Sequence, residues 1–422
     1  HALDIFVRGA MAESWGIALV PLVLYALLKY LSNPNRKIGV FLSLTLFALT
    51  ITHNITTLIA VPIFLLFGLW GIIKYKPPIK SIRQTLLYCL LGVALSGFFT
   101  LPLTFEKNLI QTQFFTADYF DFHAHFASVR QLFVNQNWGY GPSKFGVDDD
   151  LSFYFGLVQT IVLFLSPIVF FIKRKNPYAK LFLAFSFLSL SFLFLTHNKS
   201  VYLWEHLPLI SIAQFPWRFL GPAGLFSSLM LGTVFEIFFA ENFLKSRIII
   251  GAVLLLVILN FRFFAFEKYF YWIDDSQKLS GELLALQARA AILDYLPVSS
   301  SKIPIDPAPT SPIITSGRVS TNYFDKRSNY FSSEFDVYTD TAIVQFPVMH
   351  FPGWKYYVNR QPSIVTPTYS TDFGLPSFNL TRGHHLIQAF FEDTPVRRFG
   401  NYLSILSLGI IIYLSLNEKS KK

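Results

Sequence analysis

Residues 38–73 read IGVFLSLTLFALTITHNITTLIAVPIFLLFGLWGII. A helix rises about 1.5 Å per residue, so a run of this length is too long for one crossing of about 30 Å of hydrocarbon. Thr52, His53, Asn54 and Thr56 interrupt it. The pattern predicts two membrane-spanning helices, 38–52 and 55–73, joined by a tight turn at the membrane surface. Arg36 and Lys37 precede the pair, and Lys74, Lys76, Lys80 and Arg83 follow it. Short basic loops mark the cytoplasmic side, so the Thr-His-Asn turn is expected on the opposite face.

The composition carries this reading to the whole chain. Of 422 residues, 53% are hydrophobic and 18% aromatic against 14% charged, with a mean hydropathy of +0.45, which excludes an ordinary soluble enzyme. Further spans are expected near 14–31, 84–105, 151–172, 180–196, 217–239, 248–265 and 399–416. The fold class is then a polytopic α-helical membrane protein of about nine transmembrane helices. Lys173, Arg174, Lys175 and Lys180, then Lys245 and Arg247, then Lys419, Lys421 and Lys422 continue the alternation of basic loops. The net charge of +10, from 35 Lys and Arg against 25 Asp and Glu, therefore reflects topology rather than nucleic acid. The N-terminus and the loops 106–150 and 197–216 of a transmembrane domain covering 1–265 are expected to face outward, as is the segment 266–398. An outward start expects a further helix and outer loop upstream of His1. Cys89 is the single cysteine and lies in an apolar run, which offers neither a disulfide framework nor a cysteine metal site.

From residue 266 the apolar runs stop and polar residues alternate with aromatics. Residues 266–315 are expected to hold an outer helix over 276–293, with Leu279, Leu283, Leu286 and Ile292 roughly on one face, and a linker around Pro304, Pro307, Pro309 and Pro312. In 316–398, Phe331, Ser333, Phe335 and Val337 alternate with Ser332, Glu334 and Asp336, the period of a half-buried strand. Further strands are expected at 341–347, 354–358, 363–368, 376–380 and 385–391. Turns at Pro352-Gly353, Asn359-Arg360 and Arg382-Gly383 would separate them. The result is an extracytoplasmic antiparallel β-sandwich set before the last helix, which with its basic tail fills 399–422.

Several polar groups could carry chemistry. Asp4, Arg8 and Glu13 lie in DIFVRGAMAESWG (4–16), just before the first span. An i,i+4 spacing pairs Asp4 with Arg8 on a helix. A guanidinium forks onto phosphate oxygens and a carboxylate can act as a base, although an ion pair anchoring the helix uses the same residues. His53 with Asn54, and His197 with Asn198, sit at the outer boundary, where a histidine can bind a phosphate or shuttle a proton and an Asn can simply cap a helix. In 106–150, Asp118, Asp121, His123 and His125 are followed by Trp138, Gly139, Tyr140 and Gly141, which suit stacking on a sugar. Asp148, Asp149 and Asp150 suit either a divalent cation or a helix start. QFPWRF (214–219) sets Trp217 and Arg218 at the outer start of a span, as interfacial anchors or as a phosphate contact. Glu236, at the inner end of that span, is the one acid expected inside the hydrocarbon. The sequence has no phosphate-binding glycine loop and no HExxH. Few charges fall in the spans, which speaks against an ion-coupled transporter, with Pro21, Pro62 and Pro102 as candidate helix breaks.

VRGAMAESWGIALVPLVL (7–24), the Thr-His-Asn turn and QFPWRF resemble bacterial membrane proteins described as 6-pyruvoyl-tetrahydropterin synthase-related, a label that concerns a membrane region and not pterin chemistry. FPGWKYYVNRQPSIV (351–365) is similar to the outer domain of YfhO-type proteins, in which a Pro-Gly-Trp turn leads into a hairpin. Asn359-Arg360 stands where that pattern has an Asp-Gly type turn. Both groups resemble the C-type glycosyltransferase superfamily, membrane enzymes that move a sugar from a polyprenyl-phosphate donor to an acceptor on the outer face. The resemblance implies a bacterial inner (plasma) membrane location, an inverting transfer, and as partners the bilayer, a polyprenyl-phosphate sugar and an envelope glycan or lipid. A divalent cation (Mg or Mn) is the cofactor it raises. The family's first outer loop, with its catalytic acid, would lie mostly upstream of this sequence. The matching positions here are Asp4 and Glu13 for catalysis, and Arg8, His53 and Arg218 for the donor phosphate. Trp138, Tyr140, His197, Trp217 and Trp354 are the candidate glycan or acceptor contacts. The alternatives are a transporter and a non-enzymatic envelope component that binds glycan through Trp354 and Tyr356. Trp354 equally suits the core of the sandwich.

Overall fold

The computed structural model describes residues 2–146, 149–239, 245–291, 295–362, 368–369 and 372–416. Along the chain the helices are α1 (Met11–Ser32), α2 (Arg36–Thr52), α3 (Asn54–Tyr75), α4 (Ile79–Leu95), α5 (Gly97–Phe105), α6 (Val129–Phe133), α7 (Leu157–Ile172), α8 (Pro177–Thr196), α9 (Val201–His206), α10 (Leu220–Phe239), α11 (Lys245–Asn260), α12 (Asp275–Lys278), α13 (Gly281–Ala291) and α14 (Pro395–Leu416). Among the described residues, five helices are long and apolar enough to cross a membrane: α1, α3, α8, the stretch Pro216–Phe239 that ends in α10, and α14. A sixth arises if α4 and α5 count as one span. The expected spans α2, α7 and α11 are shorter, at 17, 16 and 16 residues. The interruption of 84–105 falls at Ser96, between α4 and α5. Pro21 and Pro62 break nothing, since α1 and α3 run through them.

The chain divides into two compact units, residues 1–94, 115–269 and 409–422 in one and residues 95–114 and 270–408 in the other. In the first, α1 packs against α2 and α3, and α8 against α10 and α7. Val20, Val23, Leu24, Leu27 and Leu31 recur at helical spacing and are buried, with Ala26 fully enclosed. The neighbouring helix α3 buries Ile63 and Phe67 on one side and leaves Leu65, Leu69 and Ile73 59–70% exposed on the other. A helix apolar on both faces is what lipid requires on one side and a bundle on the other. Hydroxyls link the helices inside the bundle. Ser43 donates to the Tyr88 carbonyl at 2.7 Å, Ser189 to the Ala223 carbonyl at 3.0 Å, and Ser166 and Ser186 pair at 2.6 Å. Each such bond keeps a polar group satisfied where water is absent.

The second unit is built on one antiparallel sheet: β1 (Ile313–Ser316), β2 (Val319–Lys326), β3 (Tyr330–Gln345), β4 (Trp354–Val358), β5 (Gln361–Pro362), β6 (Thr368–Tyr369) and β7 (Pro376–Phe391), with β3 and β7 paired along their length. The expected strands 331–337 and 341–347 are thus one strand, and so are 376–380 and 385–391. Arg382-Gly383 is not a turn between strands; β7 passes through it, with Gly383 at φ +132°. The register shift between Val337 and Thr341 changes which positions face inward, from Phe331, Phe335 and Val337 to Ala342, Val344 and Phe346. Both halves of β3 bury residues in one core, with Phe378, Leu380, Ile387 and Ala389 of β7, so the sheet folds on itself as a sandwich. Asn359 and Arg360, at φ +51° and +65°, form the two-residue turn between β4 and β5. β1 extends the sheet into residues 313–315, expected to be linker, and β2 is a strand within 316–398 that was not expected. Of the outer helix expected at 276–293, α12 and α13 form separately around Gly281, at φ +60°, and Ile292 lies outside the described residues. Of the strand expected at 363–368, residues 363–367 do too, and Thr368 begins β6.

In the same unit α5 meets the start of α14. Phe98 N–H donates to Ser404 Oγ at 2.9 Å, and Arg397 Nη2 lies 2.8 Å from Glu106 Oε2. A Cβ on Gly400 would stand 2.6 Å from the Gly97 carbonyl oxygen, whereas one on Gly97 would meet its nearest atom, a Leu403 methyl, at 3.2 Å. The two backbones cross where only hydrogen fits on the α14 side. Gly400→Ala is therefore expected to lower the stability of the detergent-solubilised protein by about 1–3 kcal/mol, and Gly97→Ala by clearly less, read as the difference in thermal unfolding. Equal losses from both would count against this crossing.

Candidate functional site

Asp4 belongs to a single π-helical turn, Leu3–Val7, that Arg8 closes. Such turns recur at functional sites. Gly9, at φ +64°, then reverses the chain into α1, a conformation that glycine adopts without strain. The reversal brings Glu13, in the first turn of α1, back onto Arg8. Arg8 Nη1 donates to Asp4 Oδ1 at 2.6 Å and Nη2 to Glu13 Oε2 at 2.8 Å. The i,i+4 pair legible in the sequence is formed, and a second carboxylate joins it.

Glu13 also receives Arg218, from a segment 205 positions away, whose Nε lies 3.3 Å from its carboxylate. Arg218 Nη1 donates to the Ala213 carbonyl at 2.8 Å and to Gln214 Oε1 at 2.9 Å. Among the described residues its Nη2 makes no hydrogen bond. Asp4 is 7% and Glu13 5% exposed, so two acids and two guanidinium groups lie buried together. The arrangement obeys the rule that buried charges persist only when paired.

His53 fills the turn between α2 and α3 that the sequence marks. Its Nδ1 accepts from Thr56 N–H at 3.1 Å, capping α3. His197 does the same for Lys199 N–H at 3.1 Å, so in both Thr-His-Asn turns the imidazole is the cap, where Asn was expected. Gly16 of α1 permits the approach of the first turn, since a Cβ there would lie 3.2 Å from His53 Cβ. Burial holds the His53 imidazole below its ordinary value; Glu13 and Asp4 act in the opposite sense, and Arg218 and Arg8 reinforce burial. Trp217 is 5% exposed. The Arg8 guanidinium sits 4.4 Å from its ring centroid, and Phe215 stacks on it at 4.8 Å, so the ring serves this cluster and offers little face to a sugar. Its Nε1 is buried with no partner among the described residues. Glu13 and Arg218 also line the mouth of an apolar cleft whose walls include Ile17, Val20, Ile59, Ala60, Ile63 and Leu225. The cleft holds about 30 Å³, room for about two waters but not for a sugar ring.

The structure thus brings together Asp4, Arg8, Glu13, His53, Trp217 and Arg218. The other candidates stand elsewhere. Tyr140 donates its hydroxyl to the Ala265 carbonyl at 2.9 Å, Trp138 packs on Phe263 at 4.8 Å, and His197 is a cap. Trp354 belongs to the sandwich unit, where it packs edge-on against Phe391 at 5.4 Å and against Phe331 at 5.6 Å. Asp148 lies outside the described residues. Asp149 accepts from Gln131 Nε2 at 2.6 Å and from Lys144 N–H at 2.7 Å, and Asp150 pairs with Lys144 at 2.5 Å. They do not start a helix, since α7 begins at Leu157. Among the described residues no three His, Cys, Asp or Glu side chains converge as metal ligands. Sequence reasoning missed the cleft, Gly16 and the part played by Gln214. Compared with family models, with curated proteins and with solved structures, the chain matches none.

Two outcomes follow from the charges. Removing Glu13 leaves the buried Arg218 without a carboxylate partner and Arg8 with Asp4 alone, so Glu13→Gln is expected to cost about 3–5 kcal/mol of stability. Adding Arg218→Gln should cost less than the sum of the two single changes, in a thermal double-mutant cycle. The second outcome concerns pH. Burial, and then the Glu13 carboxylate, push the Asp4 carboxyl above its usual range, against the pull of Arg8. A raised folded value means that the Asp4 contribution to stability is complete below its unfolded pKa and is lost as the pH rises through the folded one. Asp4→Asn is expected to remove that decline from the profile of melting temperature against pH, and an unaltered profile would refute it.

Proposed function

We propose that the protein binds a lipid-linked phosphate at the Asp4–Arg8–Glu13–Arg218 cluster, as a membrane enzyme that transfers a sugar from a polyprenyl-phosphate donor to an envelope acceptor on the outer face. The observation that carries this reading is the junction of the charge cluster with the apolar cleft. A polyprenyl phosphate is an anionic head on a slender apolar tail. Arg218, whose Nη2 edge makes no bond among the described residues, borders the same cleft that Ile17, Val20 and Ile63 line. The head would meet the guanidinium while the tail stays in lipid, running from the cleft over the exposed apolar side chains of α3. Trp217 Nε1, a buried donor without a partner among the described residues, adds to the demand for an acceptor in this cluster.

In the transfer, the acceptor hydroxyl attacks the anomeric carbon as the bond to the phosphate oxygen breaks, and the hydroxyl proton goes to a carboxylate. Of the two acids, Glu13 is held by both arginines as their counter-ion. Asp4, pushed up by burial, is the better proton acceptor. Arg8 and Arg218 would stabilise the departing phosphate, the largest effect available in a site shielded from water. That Glu13 already saturates much of both guanidinium groups favours a second reading, binding of a lipid phosphate without turnover.

Arg218→Lys keeps the charge and loses the fork. It is expected to reduce sugar transfer from a polyprenyl-phosphate donor about 100-fold or more in membranes carrying normal amounts of the protein. Transfer at the wild-type rate would sink the assignment. Binding of farnesyl phosphate by the wild type, with no transfer to any membrane acceptor, would select the second reading.

A further inference from the structure

Gln214 has φ +62° and ψ −48°, and Phe215 N–H donates to the Ala213 carbonyl at 2.6 Å. This is a three-residue turn of the rare, strained kind whose central residue has φ near about +75°. Nothing in the local sequence demands it, since Gln gains nothing from positive φ that Gly or Asn would not supply more easily. The turn has two results. It presents the Ala213 carbonyl to Arg218 Nη1, and it turns the Gln214 side chain so that Oε1 accepts from the same Nη1 while Nε2 donates to the Phe115 carbonyl at 2.7 Å. The amide is therefore fixed at both ends, one on the loop 106–150 and one on the guanidinium. With Nε on Glu13 and Nη1 on two oxygens, the rotation of the Arg218 plane is set, and Nη2 is the edge left over.

We infer that Gln214 is the positioning residue for Arg218: its strained turn and doubly bonded amide aim the Nη2 edge of the guanidinium at the phosphate of the lipid ligand. Strain kept where a functional side chain is aimed is a recurring pattern, and here it coincides with the one arginine that also borders the cleft. The inference rests on the reading of Arg218 as a phosphate contact.

The test uses the full chain in detergent, with two variants. Gln214→Gly accepts the turn without strain and removes the amide; Gln214→Asn accepts positive φ and is too short to join Phe115 to Arg218. Three quantities are measured for each: melting temperature, equilibrium binding of radiolabelled farnesyl phosphate, and the rate at which phenylglyoxal modifies Arg218, followed by mass spectrometry. The expected result is a melting temperature equal to or above that of the wild type, binding about tenfold weaker, and Arg218 modified several times faster. Unchanged binding and unchanged reactivity would overturn the inference. So would a loss of binding that only tracks a loss of melting temperature while Arg218 reacts as before. If the wild type itself binds no farnesyl phosphate, the phosphate reading fails and takes the aiming at phosphate with it, whereas the Arg218 modification rate still reports separately whether Gln214 holds the guanidinium.

Discussion

Two guanidinium groups cannot share an apolar bundle without an anion between them, and Glu13 is that anion. It stands in the first turn of α1, accepts from Arg8 and lies against Arg218 Nε. Arg8 in turn fixes the π-helical turn through Asp4, and Arg218 fixes the 213–218 segment through its carbonyl and amide partners. The cost of burying four charges is severe for any one of them alone and tolerable only for the set. One carboxylate thereby decides how three stretches distant in sequence come together: 3–8, the head of α1, and 213–218. His53 reaches the same place by another route, because Gly16 lets the α2–α3 turn settle against α1.

The membrane class was legible because it depends on composition and on run length, which tertiary context cannot reverse. The Thr-His-Asn interruption was legible for the same reason: a run that long must turn, and the turn must fall where polar groups can satisfy the backbone. Other features depend on contacts the chain makes with itself. The break at Ser96 falls on a Ser-Gly pair, a breaker signal that the long apolar run around it masks. Arg382-Gly383 has the composition of a turn, yet Gly383 takes its positive φ inside β7, where it accompanies the change of inward face that closes the sandwich. A glycine pattern can mean a turn or a bend in a long strand, and only the partner strand β3 decides which.

The site divides along the same line. Asp4 and Arg8 are four apart, so helical spacing alone pairs them. Glu13 joins them only because Gly9 reverses the chain, and Arg218 only because the bundle forms. Residue type singled out acids and arginines that the fold does bring together. It was a poor guide for the aromatics. Trp217, Trp138 and Trp354 share a composition suited to sugar, but one lies beneath Arg8, one packs on Phe263 and one lies against Phe331 and Phe391. A tryptophan buries a large area, and packing claims it before recognition does unless the ring is kept at a surface.

The loop that carries Arg218 shows how such a site can be rigid without a ligand. Leu209 and Gln214, at the two ends of the short 3₁₀ helix Ile210–Ala213, both have positive φ. Non-glycine residues held there cost of order 1–3 kcal/mol each, and a loop free to relax would shed that strain. This one is not free, because Ala213, Trp204 and Phe219 are buried together at 1–6% exposure, and Pro216 begins the next turn with its φ already set. The strain is therefore offset by packing. A guanidinium oriented in advance needs no reorganisation when an anion meets it, which is the condition under which a fixed dipole or charge acts most strongly. A flexible arginine on a relaxed loop would have to lose its freedom at that moment, and under the proposed reading the strained turn at Gln214 would remove that loss.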